Sequence, residues 1–133
     1  MGTANGKQQM ASSEKKNGRS YRDLVVWQKS VELCTLVYAL TKRYPKDELF
    51  ALTSQTRRAV VSISANISEG YGRHSKKEFS HFLSIAQGSL TELETLLTIA
   101  KNLSYCTPTD CSTIDALANE VGRMLYAFRT TLR

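Results

Sequence analysis

The chain has little of what catalysis or metal binding draws on. It holds two histidines, His74 and His81, seven positions apart, with no cysteine near either in sequence. A hydroxyl or thiol nucleophile needs a base within reach, and no such pair is legible. No pair of Glu-x-x-His motifs is present, only the single Glu78 to His81, and the di-metal site of helical bundles needs one from each of two helices. Glu92 and Glu94 lie two apart and so face different sides of a helix. Of the three cysteines, Cys34 falls in an apolar run. Cys106 and Cys111 sit in a loop at a spacing that matches no zinc signature. The expectation is a protein with no catalytic residue, no metal and no cofactor. There is also no apolar run of eighteen residues and no signal-peptide pattern, so no membrane partner and a reduced, cytoplasmic location are expected. Without secretion, the glycosylation patterns at Asn66-Ile67-Ser68 and Asn102-Leu103-Ser104 carry no weight.

What is present is an ordinary globular composition. The 133 residues are one domain's worth, 41% hydrophobic and 23% charged. The net charge of +6 and pI near 9.4 are a mild pointer to an anionic partner.

Residues 1–20 hold almost no large apolar side chain and are rich in Gly, Ser, Asn and Lys, which predicts a disordered basic tail. From Tyr21 the period becomes helical. Leu24, Trp27, Val31, Cys34, Thr35 and Tyr38 mark a helix over about 22–43. Pro45 suits the first turn of a second helix, with Leu52, Ala59, Val60, Ile63 and Ile67 as its core face and Gly70 and Gly72 as its stop. Ser75 to Glu78 reads as a capping box that opens a third helix, marked by Phe79, Phe82, Leu83, Ala86, Leu90, Leu93, Leu97 and Ala100. Ile114, Leu117, Val121, Leu125, Phe128 and Leu132 mark a fourth. No stretch alternates as a strand does. The expected fold is all-α, an antiparallel up-down-up-down four-helix bundle over 21–133, since short links force antiparallel neighbours.

The second helix carries an unusual polar load. Gln55, Arg58, Ser62, Asn66 and Glu69 share a stripe at the edge of its apolar face, and Ser89 and Glu92 on the third helix are its natural partners. Glu92 is a plausible counter-ion for Arg58. The favoured reading is a structural polar network that sets helix register, because buried unpaired groups cost roughly 1–3 kcal/mol. A direct nucleic-acid role for Arg58 is the rival. Arg57, Ser54, Ser64 and Ser68 are expected on the far side, facing solvent or another subunit.

The same residues carry a family resemblance. Tyr21-Arg22-Asp23-Leu24-Val25-Val26-Trp27-Gln28 resembles an opening motif. Gln55, Arg57-Arg58-Ala59, Ser62, Asn66-Ile67 and Glu69-Gly70 resemble a central signature. Ile85-Ala86, Gly88-Ser89-Leu90 and Glu92-Leu93 resemble a third-helix motif. Together they resemble the four-helix-bundle family of bacterial 23S rRNA intervening-sequence proteins, a group related to the accessory variability determinants of diversity-generating retroelements. The match runs over about 21–133. The resemblance implies a small cytosolic bundle that assembles into a homo-oligomer, typically a pentamer, binds RNA or another nucleic acid, and has no catalytic activity. In the retroelement branch the partners are a reverse transcriptase and its RNA. The competing reading is a structural or protein-interaction module without nucleic-acid contact.

Two surfaces follow from the pattern. The first helix shows a second apolar stripe, Val26, Leu33, Val37 and Leu40, about 120–150° from the first at roughly 100° per residue. It is the candidate oligomer interface, with Val61 and Ala65 in support; the alternative is a helix sunk deeper in its own bundle. In an up-down bundle, one end gathers Lys7, Lys15, Lys16, Arg19, Arg22, Lys29, Arg73, Lys76, Lys77, Arg129 and Arg133 against Glu14, Asp23, Glu69 and Glu78, a balance of +7. The opposite end is neutral. Arg22, Arg73, Lys76, Lys77, Arg129 and Arg133 are therefore the candidate nucleic-acid-binding residues, with Tyr71 as a stacking partner for an unpaired base.

Overall fold

Ser20, the first described residue, makes a reciprocal cap. Its hydroxyl accepts from the Arg22 amide at 3.2 Å, and its own amide donates to Asp23 Oδ2 at 3.1 Å. The computed structural model describes residues 20–133, so the tail expected over 1–20 lies almost wholly outside the described residues, with Lys7, Glu14, Lys15, Lys16 and Arg19. The cap closes a 3₁₀ turn, Tyr21–Asp23, and Leu24 then extends at φ −76° and ψ 124°. The helix expected from about 22 is thus interrupted, and the long helix begins one residue later.

Four α-helices follow: α1 Val25–Thr41, α2 Leu52–Tyr71, α3 Lys76–Asn102 and α4 Ser112–Thr131. Among the described residues there is no strand. Each helix packs on two others, α2 on α1 and α3, α4 on α1 and α3, with α2 and α3 the most extensively packed pair. The result is a four-helix bundle. Pro45 does not open α2 as expected. It precedes a separate 3₁₀ turn, Lys46–Glu48, and α2 starts at Leu52, whose amide donates to Glu48 Oε1 at 3.2 Å.

The core faces of α2, α3 and α4 follow the 3.6-residue period. Val60, Ile63, Ile67, Leu83, Leu93, Val121 and Leu125 are fully sealed. On α1 the expected orientation is overturned. Val26, Leu33, Val37 and Leu40, the expected oligomer interface, are buried in the chain's own core. Val31 and Tyr38, expected inside, are 37% and 39% exposed. The reason lies in two polar residues that α1 buries. Ser30 and Thr41 donate their hydroxyls back to the carbonyls of Val26 at 2.7 Å and Val37 at 2.9 Å, which removes the cost of burying them. A face containing Ser30 and Thr41 can therefore point inward, and the sunken-helix alternative is the one the burial supports.

Gly70 is not a helix stop but a point of close approach. A Cβ there would lie 2.6 Å from Phe82 Cβ and 2.9 Å from Phe79 Cδ1. The helix ends at Gly72 instead. At the end of α3, Ser104 takes a left-handed φ of 63°. That lets the Tyr105 amide reach back to the Ala100 carbonyl at 2.9 Å, while the Ser104 amide donates to Lys101. The link to α4 is then folded by reciprocal bonds between Thr107 and Asp110, each 3.0 Å, which bring Cys106 and Cys111 to a buried Sγ–Sγ distance of 3.1 Å.

Candidate nucleic-acid interface

One end of the bundle is built on aromatic contacts that fix its basic residues. Tyr71, the last residue of α2, meets Phe79 of α3 edge-on at 5.9 Å, and Phe79 meets Phe128 of α4 at 5.2 Å. The end of α2, the start of α3 and the end of α4 are thereby joined. The Tyr21–Asp23 turn packs on both α1 and α2. Lys76 and Lys77 stand exposed in the first turn of α3, behind the Ser75 hydroxyl that accepts from the Glu78 amide at 3.1 Å. The free amides of such a turn carry partial positive charge, which the two lysines reinforce.

The six candidate cations are not equivalent. Lys76, Lys77 and Arg133 are exposed and, among the described residues, unpaired. Arg22 is exposed with its guanidinium 5.0 Å from the Tyr21 ring centre. Arg73 is tied: it donates to Glu69 Oε2 at 2.7 Å and lies 4.8 Å over the Phe82 ring. Arg129 is half-buried and donates to Gln87 Oε1 at 2.8 Å. Tyr71 is only 3% exposed against Phe79, so it is closed to base stacking, contrary to expectation. Lys29, counted at this end from the sequence, pairs instead with Glu120 of α4 at 3.4 Å.

At the opposite end two of the four cations are held in specific pairs. Arg43 meets Asp110 at 3.2 Å and Lys101 meets Asp115 at 2.8 Å. The Thr107 amide and hydroxyl, and then Arg43, hold the Asp110 carboxyl below its usual range. The bond from Lys101 to Asp115 raises the lysine. Tyr105 donates to Glu48 Oε2 at 2.7 Å, which raises the phenol.

The polar stripe is partly wired. Ser62 and Ser89 share a hydrogen bond at 2.8 Å across α2 and α3, and Asn66 Nδ2 donates to the Ser62 carbonyl at 2.8 Å and hydroxyl at 3.0 Å. Gln55, Arg58, Glu69 and Glu92 are exposed. Among the described residues Arg58 and Glu92 form no ion pair, so that expected bridge is absent. Arg57, expected to face outward, turns to α1 instead. Its Nε donates to Thr41 Oγ1 at 2.9 Å and its guanidinium lies 4.7 Å over the Tyr38 ring. The adjacent arginine in sequence gave no means of telling which of the two would do this. No group of three or more His, Cys, Asp or Glu among the described residues is placed to hold a metal. None of the described helices is long and apolar enough to cross a membrane.

The model of the family described as 23S rRNA-intervening sequence protein matches residues 22–127. That span covers α1, α2, α3 and α4 as far as Ala127, so Arg129 and Arg133 lie beyond it. The chain belongs to the 23S rRNA-intervening sequence protein family. A solved structure from Bacteroides thetaiotaomicron VPI-5482, described as a protein with unknown function from the S23 ribosomal protein family, superposes with a TM-score of 0.73. It is 27% identical and the match covers 79% of this chain and 98% of that one. No curated protein matches.

Proposed function

We propose that this chain is a non-enzymatic, self-associating cytoplasmic RNA-binding protein whose contact surface is the basic end of the bundle. The observation that carries the reading is the excess of cations there: among the described residues Lys76, Lys77 and Arg133 have no acidic partner, while at the opposite end Arg43 and Lys101 are paired and the exposed Lys42 and Lys46 are balanced in number by Asp47 and Glu48. Contacts of this kind go to phosphate, so the binding is largely independent of base sequence and falls steeply with salt. Membership of a family named for an intervening sequence in 23S rRNA supports RNA as the anion. An antiparallel up-down-up-down path supports the one-ended charge, and the cross-helix pairs Ser62–Ser89, Lys101–Asp115 and Gln87–Arg129 fit that path. Self-association into a ring would repeat the patch and multiply weak contacts.

The test compares Lys76→Glu/Lys77→Glu with Lys42→Glu/Lys46→Glu in a salt titration against a structured RNA. Loss of binding and a shallower salt slope in the first variant alone is the expected result. Equal loss in both removes the one-ended reading.

A further inference from the structure

α3 and α4 are tied to each other at two levels. Near the basic end Arg129 Nη1 donates to Gln87 Oε1 at 2.8 Å, and Gln87 Nε2 reaches the Gly122 carbonyl at 3.4 Å. Toward the far end Lys101 meets Asp115 at 2.8 Å. Between these ties the helices leave a groove of about 580 Å³, floored by Leu90, Ala118 and Gly122, a volume within the range of small-ligand sites. A Cβ on Gly122 would lie 3.2 Å from Leu90 Cδ2, so a larger residue there would crowd the floor. Four side chains on the walls, Glu94, Asn119, Arg123 and Tyr126, are exposed and form no hydrogen bond, ion pair or ring contact among the described residues. Tyr126 is 61% exposed.

We infer that this groove holds an unpaired base of the bound RNA, with Tyr126 as its stacking surface and Glu94, Asn119 and Arg123 as donors and acceptors for its edge. The inference rests on RNA binding at the basic end and adds a second contact, one that meets the base rather than the phosphate. The chemistry of the groove favours this occupant. It carries one anion and one cation, Glu94 and Arg123, so its charge is balanced and a planar, uncharged ring suits it better than a phosphate does. A partner helix would find only Leu90 and Ala118 as apolar contact, and both are almost wholly buried. The walls also lead back to the phosphate-binding end. At about 100° per residue, Lys76, Gln87 and Glu94 fall on one stripe of α3, so the unpaired Lys76 stands in line with the groove, about 16 Å from Gln87 along the axis. A single strand held at Lys76 by a phosphate can lay its next few bases along the groove. Tyr71 is closed to stacking at 3% exposure, and Tyr126 is the aromatic ring on this path that stands open.

The experiment measures binding of a single-stranded oligoribonucleotide of about ten nucleotides, and of an abasic strand of equal length and charge, at fixed salt. The proteins are the wild-type chain, Tyr126→Ala, Tyr126→Phe and Lys76→Glu/Lys77→Glu. Tyr126 is exposed and its side chain is bonded to nothing among the described residues, so its variants should keep the wild-type thermal transition. The wild type is expected to prefer the base-bearing strand. Tyr126→Ala should lose about tenfold or more on that strand, nothing on the abasic one and none of the salt slope, while Tyr126→Phe binds as the wild type does. The lysine variant should weaken on both strands. An unchanged Tyr126→Ala beside a weakened lysine variant overturns the inference, leaves the groove to a protein or small-molecule occupant, and lets the basic end stand. A Tyr126→Ala that weakens equally on both strands, or a wild type with no preference between them, also overturns it, since the groove would then not hold a base. A wild type that binds neither strand overturns this inference and the RNA-binding reading together.

Discussion

Ser62 of α2 and Ser89 of α3 share a hydrogen bond at 2.8 Å, and Asn66 closes on the same serine from one turn further along. This contact locks the bundle's most extensive helix pair in one register. Each of the three side chains is half-buried, where a lost bond is only partly replaced by water. Asn66→Ala is expected to cost about 1 kcal/mol, read as a lower urea midpoint with an unchanged slope. Glu92→Ala, which removes no bond among the described residues, should stay within roughly 0.5 kcal/mol of wild type. Equal losses from both would mean that Glu92 has a partner inside the folded chain.

The two glycines of the α2–α3 pair should respond in opposite directions. Gly70→Ala drives a Cβ to 2.6 Å from Phe82 Cβ, which forces the helices apart and is expected to cost about 1–3 kcal/mol. Gly88→Ala meets nothing and gains helix propensity, so the single chain should be stabilised by up to about 1 kcal/mol. Urea melts at a protein concentration below assembly separate the two; a neutral Gly70→Ala would show that Phe82 yields freely.

Much of this arrangement was legible in the sequence, and the failures have physical causes. Three helices showed one apolar face each against a polar remainder, and Ser75 marked the start of α3 unambiguously. In α1 apolar residues occur on nearly every side, so the decision fell to Ser30 and Thr41, whose back-bonding to their own helix hides their polarity. The Arg57 contact with Thr41 and Tyr38 depends on how α2 is rotated against α1, which no local pattern encodes. The Cys106–Cys111 contact depends on the Thr107–Asp110 turn folding the loop back, and spacing alone pointed only to a missing zinc site. At the candidate site, charge counting pointed to one end of the bundle, where Lys76, Lys77 and Arg133 stand exposed. It could not foresee that Arg73 and Arg129 are committed to Glu69 and Gln87.

The turn after α3 offers a gain. Ser104 holds φ at 63°, a conformation that costs an L-residue roughly 1 kcal/mol and glycine almost nothing. Its side chain is exposed. Ser104→Gly should therefore raise stability by up to about 1 kcal/mol, visible as a higher melting temperature with the fold unchanged. A loss would mean that the added freedom of glycine in the unfolded chain outweighs the relieved strain.

The buried thiols make the bundle sensitive to alkali. Burial first, and then the hydrogen bond and proximity of Cys106, push the Cys111 thiol up to about 12 from an ordinary value of 9.0. Burial, together with the same two sulfurs, raises the Tyr44 phenol as well. A group whose folded-state pKa is raised holds its proton more tightly when folded. Its contribution is therefore complete below the unfolded value and is lost as pH climbs toward the folded one. For Cys111 that window opens near pH 9 and closes near 12. Lys101, raised by its bond to Asp115, acts in the same direction. The melting temperature should be flat from pH 7 to 8.5 and fall progressively above pH 9, and Cys111→Ala should flatten the fall while lowering the plateau. The lower plateau follows from the cavity left in a fully buried site. An alkaline limb of the same steepness in Cys111→Ala and wild type would assign the sensitivity to Tyr44, Tyr105 and Lys101.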